Sequence, residues 1–153
     1  SLITPHEGEA ARLIGKTANE VSAFRLRSVS ELATLYGPTL LKGPFSLCCD
    51  GNWTGFSLES TPALAVPGSG DVLAGLAGML LARKISPYRA GLAAAWVHAR
   101  SAGCLALVKG SEAGLLAAEV ADGIPAVLGD LLSPAATSGS EIPSPQPTHE
   151  KAD

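Results

Sequence analysis

The most informative stretch of the chain is Ala63-Leu64-Ala65-Val66-Pro67-Gly68-Ser69-Gly70-Asp71-Val72-Leu73-Ala74-Gly75. Its glycines let the backbone turn tightly, and the apolar run that follows predicts a helix from about Asp71 to Lys84. The first N–H groups of a helix have no internal partner, and the helix dipole favours an anion at that end. The stretch therefore predicts a pocket in which the backbone around Gly68, Ser69 and Gly70 binds a phosphate.

Asp71 is the candidate catalytic residue of this pocket. A carboxylate at the mouth of a phosphate site can act as the general base on a substrate hydroxyl. Ser69 could add a hydroxyl donor beside it. The alternative is a plain loop-to-helix connection in which Asp71 is the helix N-cap. The pattern is neither a Walker loop nor the Rossmann fingerprint, so by itself it leaves both interpretations open.

The flanking sequence predicts a mixed α/β domain. Thr4-Pro5-His6-Glu7-Gly8-Glu9 is typical of a strand-to-helix turn, and Thr17-Ala18-Asn19-Glu20 matches a capping box for a helix that reaches Tyr36. Strands are expected over 39–42, 45–49 and 53–58, with Asp50-Gly51 as the hairpin turn. Further helices are expected over 86–108 and 115–132, with a break in the last one at Gly123-Ile124-Pro125.

Composition limits the domain count and the partners. The 153 residues suffice for one domain, predicted over 1–132, and the Pro- and Ser-rich segment 133–153 is predicted to be a disordered tail. A net charge of −3 argues against a nucleic-acid or anionic membrane partner. The apolar stretches 72–82 and 90–108 are expected to be buried helices, because the first is too short to span a bilayer and the second carries His98 and Arg100. These features predict a soluble, cytoplasmic protein.

The cysteines indicate neither a metal site nor a disulfide. They are odd in number, two are adjacent, and their spacing does not match that of metal ligands. Adjacent residues of a strand point to opposite faces of the sheet, so two such thiols cannot share one site. We expect reduced, mostly buried thiols at all three positions: Cys48, Cys49 and Cys104.

The order of the motifs carries a family resemblance. The turn over 3–9, the strand end Leu41-Lys42-Gly43, the hairpin and the Pro62-Ala63-Leu64-Ala65…Gly68-Ser69-Gly70-Asp71-Val72-Leu73 element resemble the ADP/ATP-dependent NAD(P)H-hydrate dehydratases of the ribokinase-like superfamily. The resemblance covers approximately Leu2 to Leu132. It implies a three-layer α/β fold with a mainly parallel sheet, flanking helices and an antiparallel hairpin. This chain would be roughly the second, C-terminal half of that nucleotide-binding catalytic domain.

The resemblance also implies an activity and a set of site residues. Hydrated NADH or NADPH would be dehydrated at the expense of ATP or ADP with Mg²⁺, through phosphorylation of the hydroxyl and elimination of the phosphate. His6 and Asp71 would bind the substrate, and no residue is assigned to a resident metal. The nucleotide would be bound by the loop after the first strand and by the glycine turn: Lys42, Gly43, Pro44, Phe45, Ser46, Gly68, Ser69 and Gly70.

Several alternatives remain open from the sequence. The chain departs from the family pattern at Pro67, which removes a backbone donor, and at Ser60-Thr61, where Gly-Asn is usual. The same residues would also suit a kinase of a small alcohol or vitamin precursor, or a non-catalytic nucleotide-binding subunit. His98 is expected to be a core histidine rather than a catalyst. We expect the upstream half of the fold to come from another polypeptide or segment, and the protein to form a homo-oligomer.

Overall fold

The computed structural model describes residues 1–133, so the predicted tail, apart from Ser133, lies outside the described residues. Within residues 1–133, three α-helices are followed by three strands and then by three further α-helices. In chain order they are α1 Glu7–Leu13, α2 Ala18–Ala23, α3 Arg25–Tyr36, β1 Thr39–Leu41, β2 Leu47–Cys49, β3 Thr54–Phe56, α4 Ser69–Ala82, α5 Pro87–Lys109 and α6 Ala117–Leu132, with a 3₁₀ turn at Pro62–Leu64 before α4.

The strands form an antiparallel sheet in the order β1-β2-β3, in which Cys48 lies opposite both Leu40 and Gly55. Asp50 closes the predicted hairpin turn, since its side chain accepts the N–H groups of Asn52 and Trp53. In residues 1–133 the parallel pairing is limited to a bridge between Ile3 and Thr39. The described residues therefore do not form the mainly parallel sheet expected of the whole fold. Hairpin connections join antiparallel neighbours, whereas parallel strands need a long crossover.

The sheet separates two hydrophobic cores and so gives three layers. Cys49 packs with Leu41, Leu47 and the inner faces of α1, α2 and α3. Cys48 packs on the opposite face with Leu40 and side chains from α4, α5 and α6. The prediction that the adjacent cysteines point to opposite faces is confirmed, and all three cysteines are free. Burial raises the pKa of Cys48 to about 12, which keeps that thiol protonated and unreactive.

Helix α5 is the central element of the second layer. Its Gly91 lies so close to the sheet that a methyl group there would meet the Cys48 Sγ at 2.7 Å. Ser101 donates a hydrogen bond to the Val120 carbonyl of α6, at 2.7 Å. The helix is long and apolar enough to cross a membrane, but half of its most apolar window is buried inside the protein. It therefore has the environment of a core helix, as the sequence predicted.

Three of the predicted helices differ from the observed ones. The helix expected to run from Thr17 to Tyr36 is divided at Phe24, whose φ of −128° and ψ of 48° are not helical. Helix α4 begins at Ser69 rather than Asp71 and ends at Ala82 rather than Lys84. Helix α6 continues through Pro125 without the expected break. The exposed Pro125 is tolerated because the buried residues Val120 and Val127 hold the helix on α5 on either side of it.

Candidate active site

The N-terminus of α4 is built around a left-handed glycine. Gly68 is the N-cap, with φ 84° and ψ −9°, so the position that Asp71 would need as an N-cap is already taken. The N–H groups of Ser69 and Asp71 bond back to the carbonyls of Val66 and Gly68 at 3.3 and 3.1 Å. Among the residues described, the Gly70 N–H has no backbone acceptor. The turn therefore offers an anion the Gly70 amide and the helix dipole, rather than a row of free amides.

Ser69 and Asp71 differ in what their side chains do. The Ser69 hydroxyl donates to the Leu64 carbonyl at 2.8 Å, so it fastens the preceding 3₁₀ turn to α4 and its proton is already used. Asp71 is the third residue of α4 and is exposed to solvent. Its carboxylate is therefore available to a ligand, as a general base must be.

Two adjoining cavities meet at the head of α4. The smaller, of about 360 Å³, brings together sequence-predicted residues from three segments: His6, Lys42, Gly68, Ser69, Gly70 and Asp71. The larger, of about 500 Å³, is mostly apolar and includes Gly43, Pro44 and Ser46 in its wall. Lys42, Ser69 and Gly70 line both cavities. A phosphate at this boundary would therefore lie between a ligand in the larger cavity and a ligand in the smaller one.

Lys42 is held at the boundary between the cavities rather than free in solvent. Its backbone N–H donates to the Pro5 carbonyl at 2.8 Å, which ties the end of β1 to the turn before α1. Its Nζ lies 3.6 Å from the Glu9 carboxylate. A methyl group on Gly70 would lie 3.2 Å from the same Nζ, so the glycine leaves room for the ammonium. The lysine can thus reach a phosphate in either cavity.

His6 is a helix cap whose side chain also lines the smaller cavity. It is the N-cap of α1: its Nδ1 accepts the Glu9 N–H at 3.2 Å, and its own N–H donates to the Glu9 carboxylate at 2.7 Å. About half of its side chain remains exposed, and it lines the smaller cavity. The His6 N–H, and then the Lys42 and His6 charges, hold the pKa of Glu9 below its usual value.

The loop from Lys42 to Ser46 is supported from behind by Arg25, which the sequence did not single out. The Arg25 guanidinium donates to the Leu41 carbonyl at 3.4 Å, pairs with Glu7 and fills the space beside Gly43. Gly43 has a φ of 145°, a conformation that side chains rarely adopt. No local motif marks Arg25, because its contacts arise only when α3 packs against β1.

Phe45 is the one predicted nucleotide residue that lines neither cavity. It has a φ of 50°, which is uncommon for a residue with a side chain, and its ring is exposed. The Ser46 hydroxyl donates to the Gly43 carbonyl at 3.2 Å and so closes the loop on itself. Strained backbone of this kind clusters at ligand sites.

His98 is buried, as the sequence predicted, but it also lines the larger cavity. It is 3% exposed, and burial lowers its pKa to about 4, so the ring is neutral. Its Nε2 is the only buried side-chain nitrogen or oxygen in residues 1–133 without a hydrogen-bond partner. The cavity contact could not be predicted, because an Ala-rich helix does not reveal which of its faces borders a cavity.

Of the two departures from the family pattern, one lies in the wall of the larger cavity and the other does not. Ser60 and Thr61 lie in the wall of the larger cavity, and the Thr61 hydroxyl accepts the Ala63 N–H at 3.2 Å. Pro67 lines neither cavity. In the part of the chain that the structure describes, no three His, Cys, Asp or Glu side chains are grouped to hold a metal ion.

Comparison with known proteins identifies NAD(P)H-hydrate dehydratases and repair enzymes as relatives of this chain. A sequence model of the NAD(P)H-hydrate dehydratase family matches residues 1–126. The ADP-dependent (S)-NAD(P)H-hydrate dehydratase of Neisseria meningitidis is 41% identical over 122 residues, which are 78% of this chain and 41% of that protein. The bifunctional NAD(P)H-hydrate repair enzyme of Escherichia coli is 37% identical over 121 residues, which are 78% of this chain and 23% of that protein.

Solved structures agree with the sequence comparisons. The ADP/ATP-dependent NAD(P)H-hydrate dehydratase of Bacillus subtilis, co-crystallised with ATP and Mg²⁺, superposes with a TM-score of 0.77 at 31% identity and covers 84% of this chain. This chain corresponds to 47% of that one. A ribokinase-like superfamily protein of Enterococcus faecalis shares the fold, with a TM-score of 0.68 at 23% identity. The predicted ribokinase-like class is confirmed, and the chain belongs to the NAD(P)H-hydrate dehydratase family.

Proposed function

We propose that this chain carries the nucleotide site and the catalytic carboxylate of an enzyme that dehydrates hydrated NADH or NADPH at the expense of ADP or ATP. The observation that carries the proposal is the meeting of two cavities at Lys42, Ser69 and Gly70. The nucleotide would occupy the larger, apolar cavity, with its terminal phosphate at the boundary. The hydrated nicotinamide would occupy the smaller cavity, beside His6 and Asp71.

The chemistry at the boundary would proceed in two steps. Asp71 removes the proton of the substrate hydroxyl as the hydroxyl oxygen attacks the terminal phosphorus. The bond between that phosphorus and the departing ADP or AMP then breaks. The carbon–oxygen bond of the phosphate ester then breaks, an adjacent carbon loses a proton to water, and the ring double bond and inorganic phosphate are formed. Lys42, the Gly70 N–H and the α4 dipole stabilise the phosphoryl charge in the first step.

The donor set fits a Mg²⁺ ion that arrives with the nucleotide rather than one resident in the protein. Among the described residues there is no three-ligand cluster, and Mg²⁺ is usually held by one or two carboxylates, water and the substrate phosphates. The ion would be held by the nucleotide phosphates and water, which leaves the Asp71 carboxylate in the smaller cavity free to act as the base. When bound, the ion would neutralise phosphate charge.

The remaining parts of the proposal concern assembly and location. The chain spans about half, or less, of the length of the relatives it matches. We propose that a segment or partner polypeptide equivalent to the rest of those relatives completes the sheet and the substrate cavity. The complete enzyme would work in the cytoplasm as a homo-oligomer.

The test of this function is the variant Asp71→Asn in the assembled protein. With hydrated NADH and ADP or ATP, we expect the wild type to restore the nicotinamide absorbance and the variant to lose about 10²–10⁴-fold in rate. Nucleotide affinity, measured by calorimetry, should be nearly unchanged, because the Gly70 amide and Lys42 remain. Asp122→Asn, an exposed change on α6, is the control and should retain full activity.

Two other outcomes would favour the alternative functions. Phosphorylation of a small alcohol, with no recovery of hydrated NADH, would identify a kinase. Nucleotide binding without turnover, unaffected by Asp71→Asn, would identify a non-catalytic subunit. Either result overturns the dehydratase proposal.

A further inference from the structure

One carboxylate touches a residue of each proposed subsite. Glu9 accepts the His6 N–H at 2.7 Å, and its other oxygen lies 3.5 Å from the His6 Nε2. The Glu9 carboxylate is also 3.6 Å from the Lys42 Nζ. His6 lines the smaller cavity, and Lys42 lines both. Glu9 itself lines neither cavity, so any effect on a ligand would pass through these two neighbours.

A second capping box in the same chain shows what a capping glutamate does without the contact that Glu9 makes with Lys42. At the start of α2, Glu20 accepts the Thr17 N–H at 2.8 Å, and Thr17 accepts the Glu20 N–H at 3.2 Å. The backbone pairing is the same as that of His6 and Glu9, but the nearby Lys16 pairs with Glu31 rather than with Glu20. Threonine is a preferred N-cap residue and histidine is not. The α1 box therefore has features that capping alone does not require.

We propose that Glu9 is a positioning residue for the dehydration, a role that rests on the function proposed above. It holds the Lys42 ammonium at the boundary between the cavities and the His6 ring in the smaller cavity. A carboxylate beside Lys42 offsets part of the attraction between the ammonium and a bound phosphate. With its ammonium held in one position, Lys42 can stabilise the phosphoryl group during transfer, because a misplacement of about 1 Å can cost ~10²-fold in rate. Glu9 thus lowers ground-state affinity and raises turnover.

This role predicts opposite changes in binding and turnover for Glu9→Gln. We expect ADP to bind about two- to fivefold more tightly, since the charge facing Lys42 is gone. We expect kcat to fall by about 10- to 100-fold, because Lys42 and His6 are no longer held. Calorimetry with ADP and the absorbance assay with hydrated NADH measure the two quantities in the assembled protein.

Glu20→Gln is the matched control, since it alters the same kind of box without a lysine paired to the carboxylate. It should lower the unfolding midpoint about as much as Glu9→Gln and change neither ADP affinity nor kcat. If Glu9 acts through Lys42, adding Glu9→Gln to the variant Lys42→Met should not increase ADP affinity above that of Lys42→Met alone.

The results separate this inference from the function on which it rests. If the wild type is active and Glu9→Gln behaves like Glu20→Gln, Glu9 is only a helix cap. A loss of ADP affinity in parallel with kcat would likewise reduce Glu9 to a structural residue. An inactive wild type would instead overturn the dehydratase proposal, and the positioning role with it.

Discussion

Gly43 lies between a cavity and the partly buried Arg25 guanidinium, and its contacts make it sensitive to substitution. Its φ of 145° disfavours any side chain, and the Arg25 guanidinium fills the space where a methyl group would go. We expect Gly43→Ala to displace Arg25, to cost about 2–4 kcal/mol of unfolding free energy and to weaken ADP binding at least about tenfold. Denaturant unfolding and calorimetry measure the two effects.

Gly51→Ala is the matched control for that variant. Gly51 also has a positive φ, 96°, but no atom lies within 4 Å of a methyl group placed on it. It should cost only the backbone strain, about 1–2 kcal/mol, and leave ADP binding unchanged. Equal losses of stability in the two variants, with equal affinities, would contradict the assigned role of the Arg25 contact.

His98 makes the stability of the protein depend on pH. Burial lowers its pKa to about 4, so the unfolded chain, whose histidine titrates near 6.5, takes up the proton first. The stabilisation is complete above the unfolded pKa and is lost as the pH falls from 6.5 towards 4. Relative to His98→Leu, the wild type should lose up to about 1.4 kcal/mol of unfolding free energy per pH unit in that window. Parallel pH profiles for the two proteins would refute this.

At the scale of elements, Pro125 is the feature in which local chemistry and the observed helix conflict. Proline in a helix interior removes a hydrogen bond and crowds the preceding turn, at a cost of about 3 kcal/mol. Helix α6 nevertheless continues, because Val120 and Val127 are buried on the same side, against α5 and α4. Packing has therefore overridden propensity in this helix.

We expect Pro125→Ala to stabilise the protein by about 1–3 kcal/mol, since it restores the helical hydrogen bond at an exposed position. The neighbouring exposed change Ala126→Gly should destabilise it by about 1 kcal/mol and calibrates helix propensity at this turn. Thermal unfolding measures both. A lower melting temperature for Pro125→Ala would mean that the proline ring itself packs favourably.

At the scale of the whole molecule, the exposed apolar side chains bear on the proposed assembly. The β3 edge is unpaired in residues 1–133, and large apolar residues on the hairpin and on α3 remain exposed. Such surfaces usually mark an interface. These exposed side chains include Trp53, Phe56 and Leu58 on the hairpin and Leu26 and Leu35 on α3.

We expect this chain to self-associate on its own and to form a defined complex with a polypeptide equivalent to the rest of its relatives. Sedimentation velocity should show concentration-dependent species for the chain alone and one species after mixing. Trp53→Ser with Phe56→Ser should reduce the self-association without changing the fold. A single monomeric species at every concentration, with no binding on mixing, would count against the proposed assembly.

Features that arise from neighbouring residues could be predicted from the sequence. The capping box at Thr17 and the Asp50-Gly51 turn follow from side-chain and backbone chemistry within a few positions, and so does the glycine turn before α4. The family resemblance added Lys42 and its loop to the site. These elements could be predicted because each depends on local hydrogen bonds and allowed dihedral angles.

The contacts between residues that are distant in the sequence depend on the tertiary packing. It placed Lys42 between His6 and Gly70, set Arg25 behind Gly43 and put His98 in a cavity wall. It also divided one predicted helix at Phe24 and kept another intact through Pro125. These outcomes depend on the packing of α-helices on both faces of the sheet, a balance of burial between remote segments that no short stretch of sequence contains.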